Sequence, residues 1–195
     1  MHGLINRSLQ CFLRDTYGPT VWAAVARDAR LGFDSFEAML TYDPALTDAV
    51  IAAAANLLER PRETVLEDMG TYLVSHPKVH SLRRLLRFGG VTFVDFLHSL
   101  EDLPDRGRMA VPDLDLPQIM VVENSADHFT LTCLAPVHGG GHVLMGLLRS
   151  MADDYGTLVL LDHQGMKGDA EVISIQVLDQ GFATGRRFDL AAKAG

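Results

Sequence analysis

Cysteine is scarce in this chain. Cys11 and Cys133 are the only two in 195 residues. Two cysteines build no disulfide framework, and they predict a protein of the reducing cytoplasm. Long apolar runs are missing as well. The longest, Ala49–Leu58, is interrupted by Asn56 and falls far short of the ~20 residues a membrane span requires. Arg7 and Arg14 sit inside an amphipathic pattern with no apolar stretch or cleavage site after them, so no signal peptide is expected. Positive charge is in deficit: 17 Lys and Arg against 25 Asp and Glu leave a net charge of −8, which argues against a nucleic-acid partner. Repeats and low-complexity segments are absent. What is present is an ordinary globular composition, 48% hydrophobic and 22% charged, which excludes a disordered or fibrous chain. The length suits one domain, with or without a short appendage.

The first half reads as helix. Leu4, Ile5, Leu9, Phe12, Leu13 and Tyr17 repeat at helical spacing, and Gly18-Pro19 ends that helix. Val21–Ala29 continues as a short helix with Trp22 and Val25 inward. Asp34 followed by Glu37 has the form of a capping box and predicts a third helix. Asp43-Pro44 predicts a helix start, and Pro61 stops the helix that follows. Further helices are expected over Arg62–Val74 and Ser81–Phe88, and after Thr92 with Phe93, Phe96, Leu97 and Leu100 apolar. The texture changes at Pro104, with Pro112 and Pro117 following. Ile119–Val122 and Phe129–Leu134 predict one hairpin, Leu158–Leu161 and Val172–Leu178 a second. Between them Gly139-Gly140-Gly141 leads into a helix over Val143–Tyr155, closed by Gly156. The fold class is therefore α+β: a helical N-terminal lobe packed on a four-stranded antiparallel sheet with one helix in the C-terminal half. The domain is expected over residues 1–181, helical to about 103 and mixed from about 118, with a tail at 182–195.

Several segments share a pattern. Met1-His2-Gly3-Leu4-Ile5-Asn6, Tyr17-Gly18 with Trp22, Met69-Gly70-Thr71-Tyr72, and Phe93-Val94-Asp95-Phe96-Leu97 with Leu100 appear in this order. Pro112, Leu114 and Pro117, then Val143-Leu144-Met145-Gly146-Leu147-Leu148, then Ile173-Ser174-Ile175 follow. Together they resemble the H-NOX family (haem nitric oxide/oxygen binding, HNOB) from residue 1 to about 178. The resemblance implies a haem-based gas sensor. In that family a histidine ligates the haem iron and a Y-x-S-x-R motif holds the propionates; loss of the iron–histidine bond lets the two halves of the domain shift. By the same resemblance Ile5 and Pro117 contact the porphyrin face.

The chain departs from the family at the haem-ligating positions. The histidine position falls on Pro104, and Y-x-S-x-R becomes Cys133-Leu134-Ala135-Pro136-Val137. Haem is thus implied by the family and contradicted by the residues. His98 is the first substitute ligand to weigh, six residues before Pro104; on one continuous helix it faces ~120° away from that position. Cys133, His138 and His142 have a spacing that suits zinc, and a zinc-stabilised structural module is a further reading. His2, His76, His80, His128 and His163 read as surface or boundary residues. Gly139-Gly140-Gly141 lacks the lysine and spacing of a phosphate loop. Lys78, Arg83, Arg84 and Arg87 read as a solvated basic face, and Asp153-Asp154 as exposed at a helix end that disfavours them. Asp102 and Asp105 read as a polar helix end. No nucleophile–base–orienter set stands out, so no enzyme is expected. The expectation is a stand-alone cytoplasmic sensor or regulatory domain without standard haem ligation. It would act in trans on a signalling protein such as a histidine kinase or diguanylate cyclase, or bind a small apolar ligand, with neither nucleic acid nor membrane as partner.

Overall fold

Gly18 divides the first two helices. Its φ of 97° closes α1 (Gly3–Tyr17), and Pro19 opens α2 (Pro19–Asp28). The computed structural model describes residues 1–186; of the tail expected at 182–195, residues 187–195 lie outside the described residues. The next helix is α3 (Pro44–Leu58), whose Asp43 carboxylate accepts from the Ala45 amide. It is followed by α4 (Arg62–Ser75), a short 3-10 turn at Pro77–Val79, α5 (His80–Arg87) and α6 (Phe93–Ser99). At the start of α6, Thr92 and Asp95 complete a capping box.

Two expectations fail in the helical half. Asp34 and Glu37 start no helix; residues 31–41 form a loop with Phe36 at 1% exposure. The loop's backbone is satisfied from neighbouring helices instead. Trp22 Nε1 donates to the Asp34 carbonyl at 2.9 Å, Gln10 Oε1 accepts from the Phe36 amide at 2.9 Å, and Arg7 donates to the Phe36 carbonyl. Burying Phe36 with these bonds outweighs a local capping signal. The second failure is at Pro104. It lies in the first turn of a separate helix, α7 (Leu103–Ala110), where a missing N–H costs nothing. His98 and Pro104 therefore belong to two helices.

The sheet is antiparallel throughout, in the order β1-β2-β4-β3, from β1 (Gln118–Ser125), β2 (His128–Leu134), β3 (Leu158–Lys167) and β4 (Ala170–Asp179). Phe129, Leu131 and Cys133 on β2 sit opposite Ile175, Ile173 and Glu171 on β4. This register places all six on the inner face. The helix α8 (Gly140–Tyr155) packs on that face through Leu144, Leu147, Leu148 and Met151. Gly156, at φ 72°, ends it.

Among the described residues the apolar interior forms two cores. One gathers α1 to α4 around Phe12, Leu13, Val25 and Val50; the other gathers the sheet, α8 and residues of α5, α6 and α7 around Phe96, Leu97, Phe129 and Leu148. They meet where α4 crosses α8. A Cβ on Gly70 would lie 2.0 Å from the Val143 carbonyl oxygen, and one on Gly146 only 1.9 Å from that of Glu67. Glycine at both positions is what allows the two backbones to touch.

The expected solvated basic face is another correction. Arg83 is buried and its guanidinium meets Asp154 at the end of α8, at 2.7 Å. Arg87 lies 3.5 Å from the same carboxylate and over the Tyr155 ring. Lys78 bonds Asp15 of α1 at 2.7 Å. The acidic pair at the helix end is thus half explained: Asp153 is exposed and Asp154 is the anchor of a buried ion network.

Candidate functional site

The positions that the resemblance assigns to haem are distributed as follows. Pro104 is buried in the first turn of α7. Ile5 on α1 and Pro117, just before β1, are half-buried. Cys133 is fully buried in the sheet core, where burial first and then the neighbouring Glu171 carboxylate push its thiol up to about 12. Ala135 packs against the same core and Val137 against the helical one. His98 does not turn toward Pro104. Its imidazole is about half exposed, pairs with Glu123 on β1 at 3.4 Å and stands edge-on to Phe129. An iron porphyrin held in the usual way needs a proximal imidazole and a cation with donors for two carboxylates. A proline, a thiol that stays protonated and two aliphatic side chains supply none of these, so this donor set does not fit the group.

A cleft of about 330 Å³ lies elsewhere, lined by Trp22, Ala23, Ala26 and Phe33 with Arg27 at its edge. Its size is at the lower end for a small-molecule site and its lining is mainly apolar.

A second cleft, of about 200 Å³, lies where α8 starts, and here titratable side chains converge. Glu171, on the inner face of β4, is only 5% exposed. Its Oε1 accepts from the Gly141 amide at 3.0 Å, in the first turn of α8, where the helix dipole favours a carboxylate. A Cβ on Gly141 would lie 2.6 Å from Glu171 Oε2, so the glycine admits the carboxylate. His163 of β3 places Nε2 at 2.8 Å from Glu171 Oε2. The His142 ring stacks on that of His163, centroids 4.2 Å apart and nearly parallel. His142 Nδ1 lies 3.4 Å from Glu67 Oε1 of α4, and Glu67 Oε2 accepts from Arg149 at 3.1 Å. His138 is exposed and lines the same cleft.

The spacing-based trio of Cys133, His138 and His142 is therefore divided. His138 and His142 reach the cleft, while Cys133 faces the core on β2. The reason is strand alternation: Cys133 and Glu171 are opposed on the inner face, and the carboxylate extends to α8 where the shorter thiol does not. Glu67, His163 and Glu171 are functional candidates that spacing missed. His163 was read as a surface or boundary residue, and it is half-buried. His2 was placed there too, yet it is 6% exposed and its Nδ1 accepts from the Leu4 amide at the start of α1.

Among the described residues, the one serine–histidine contact, His128 Nε2 with Ser174 Oγ at 3.1 Å, has no carboxylate orienting it. No helix among them is long and apolar enough to cross a membrane. The described residues thus form a helical lobe joined to a small antiparallel sheet where α4 crosses α8 at Gly70 and Gly146. The chain belongs to the Haem-NO-binding (HNOB) family, whose model matches residues 2–163. It is 23% identical over 170 residues to soluble guanylate cyclase gcy-31 of Caenorhabditis elegans, covering 87% of this chain and 24% of that protein. It is 20% identical over 155 residues to soluble guanylate cyclase 89Db of Drosophila melanogaster, covering 80% and 23%. The chain thus spans about a quarter of the length of the curated relatives it matches. Its fold is that of the unliganded Fe(II) H-NOX protein from K. algicida, with a TM-score of 0.78 at 16% identity over 99% of this chain and 100% of that one. The H-NOX protein from S. oneidensis in its Fe(II)NO state gives 0.76 at 16% identity, over 92% and 100%.

Proposed function

We propose that this H-NOX domain is a regulatory module that works without standard haem ligation and passes its signal to a partner protein. The observation that carries the reading is Pro104, buried in the first turn of α7, at the position to which the family resemblance assigns the ligating histidine. Cys133, Ala135 and Val137 support it, because none carries the charge or donors that propionates need. A fold can be retained after its site is lost, since function resides in the site. A histidine kinase or diguanylate cyclase is the class of partner the family resemblance suggests. A small apolar ligand is an alternative input, and the cleft lined by Trp22, Ala26 and Phe33 offers a place for one.

The test is the absorption spectrum of the full chain produced with ample haem. The expected result is no stoichiometric haem and no specific Soret band. One haem per chain, with a Soret band that disappears in His98→Ala, would replace this reading with that of a haem sensor using a substitute axial ligand.

A further inference from the structure

We infer that His142, His163 and Glu171 form a binding site for a divalent transition-metal ion, Zn²⁺ in the first instance, at the first turn of α8. Their ligand atoms lie within 4.8 Å of one another and come from three separate elements, α8, β3 and β4. Two imidazoles and one carboxylate are a donor set for zinc or a similar first-row ion, and not for magnesium or calcium, which take oxygen.

Glu171 and His142 each have a second partner that orients them, while the two stacked imidazoles must turn out of their parallel arrangement to point at one ion. Glu171 spends Oε1 on the Gly141 amide, which leaves Oε2 directed at His163. The Glu67 carboxylate beside His142 Nδ1 favours the tautomer with the proton on Nδ1, which presents Nε2 as the free lone pair. Arg149 fixes Glu67 in turn. This carboxylate behind an imidazole is the outer-shell pattern that ligating histidines use. On His163 the Gly165 amide donates to Nδ1 at 3.2 Å, so in the metal-free protein the proton is on Nε2 and is shared with Glu171. Metal binding at Nε2 moves that proton to Nδ1 and opens the Gly165 contact. The backbone there can yield: the register of β3 shifts between His163 and Met166, and Gly165 has a φ of 81°. The donors must draw together by ~1 Å to reach ordinary zinc bond lengths. The open side of the site faces the 200 Å³ cleft, where a water molecule or His138 completes the coordination. An ion there joins α8 to the β3–β4 hairpin and, through Glu67, to α4.

The test uses the full chain stripped with a chelator and titrated with Zn²⁺ by calorimetry, and with Co²⁺ followed by its visible ligand-field bands. One ion per chain is expected. His142→Ala and His163→Ala should each weaken binding at least ~10-fold and abolish the Co²⁺ bands, and Glu67→Gln should weaken it by ~10-fold. Cys133→Ser should bind as the parent does. Zn²⁺ should raise the melting temperature of the parent and not of the histidine variants. Glu171 also caps α8, so the histidine variants decide, with far-UV circular dichroism showing that they fold; His163→Gln serves if His163→Ala does not. Absence of saturable binding, unchanged affinity in folded His142→Ala/His163→Ala, or loss of binding in folded Cys133→Ser would overturn the assignment.

Discussion

Arg83 and Asp154 form an ion pair inside the protein, Nη2 to Oδ1 at 2.7 Å and Nε to the same oxygen at 2.9 Å. The pair ties α5 to the end of α8, and Arg87 closes over Tyr155 beside it. Removing one member of a buried pair leaves the other charge poorly compensated, at a cost of about 3–5 kcal/mol. Asp154→Ala should lower stability by that order, read as a lower denaturant midpoint with an unchanged slope. Replacing both Arg83 and Asp154 by apolar residues should restore only part of the loss, because Arg87 loses its contact with the same carboxylate. A single variant within ~0.5 kcal/mol of the parent would mean that the pair is solvated.

This pair also shows where sequence reading stopped. Helical spacing located α1 to α6 and α8 to within a few residues, since each carries an apolar stripe and most have clear stops. Whether charges are paired is a tertiary fact, and Arg83, Arg87 and Asp154 read as solvated because their partners lie tens of residues away. The cleft was missed by a narrower margin. Ending β3 at Leu161 hid that Val159, Leu161 and His163 alternate onto one face. Starting β4 at Val172 left out Glu171 by one residue. Polar residues at strand ends dilute the β signal, and here they are the ones that meet. The Asp34–Glu37 signal misled for the opposite reason, because a local cap lost to the burial of Phe36.

Gly146→Ala tests the contact between the two cores. In an exposed helix this change would add about 1 kcal/mol of helix propensity. Here the new Cβ would meet the Glu67 carbonyl oxygen at 1.9 Å, and that atom is backbone in a packed helix. Overpacking costs of about 1–3 kcal/mol or more should win. A drop in thermal midpoint for Gly146→Ala, and for Gly70→Ala by the same geometry, is the expected outcome; a gain would mean that the helices separate without penalty.

Cys133 and Cys11 should differ in reactivity. Cys133 is fully buried with its pKa pushed up to about 12, while Cys11 is half-buried. A thiol reagent should label one cysteine per native chain and both after unfolding, with peptide mapping placing the first label on Cys11. Because the folded value is raised, the stabilising contribution of Cys133 is complete below the ordinary thiol range and is lost as pH rises from there toward about 12. Cys133→Ala should therefore lose stability less steeply than the parent above the thiol range.

Asp15 should govern part of the acid response. Its carboxylate takes a hydrogen bond from Lys78 at 2.7 Å and one from the Tyr72 hydroxyl at 2.9 Å, tying α1 to the end of α4 and the turn after it. The Lys78 bond is the main cause that holds Asp15 below its ordinary value; burial opposes it and the Tyr72 bond adds to it. The same buried surroundings push Tyr72 upward, with its bond to Asp15 contributing. A depressed carboxylate stabilises the fold above its unfolded pKa, and that contribution fades as pH falls through the folded value. Urea midpoints for the parent and Asp15→Asn should thus differ most at neutral pH and converge as pH falls below the ordinary carboxylate range. Lys78→Met should reproduce part of the loss at neutral pH, because it removes the donor and keeps the chain length. Parallel midpoint curves for parent and Asp15→Asn across the acid range would show that Asp15 titrates at the same pH folded and unfolded.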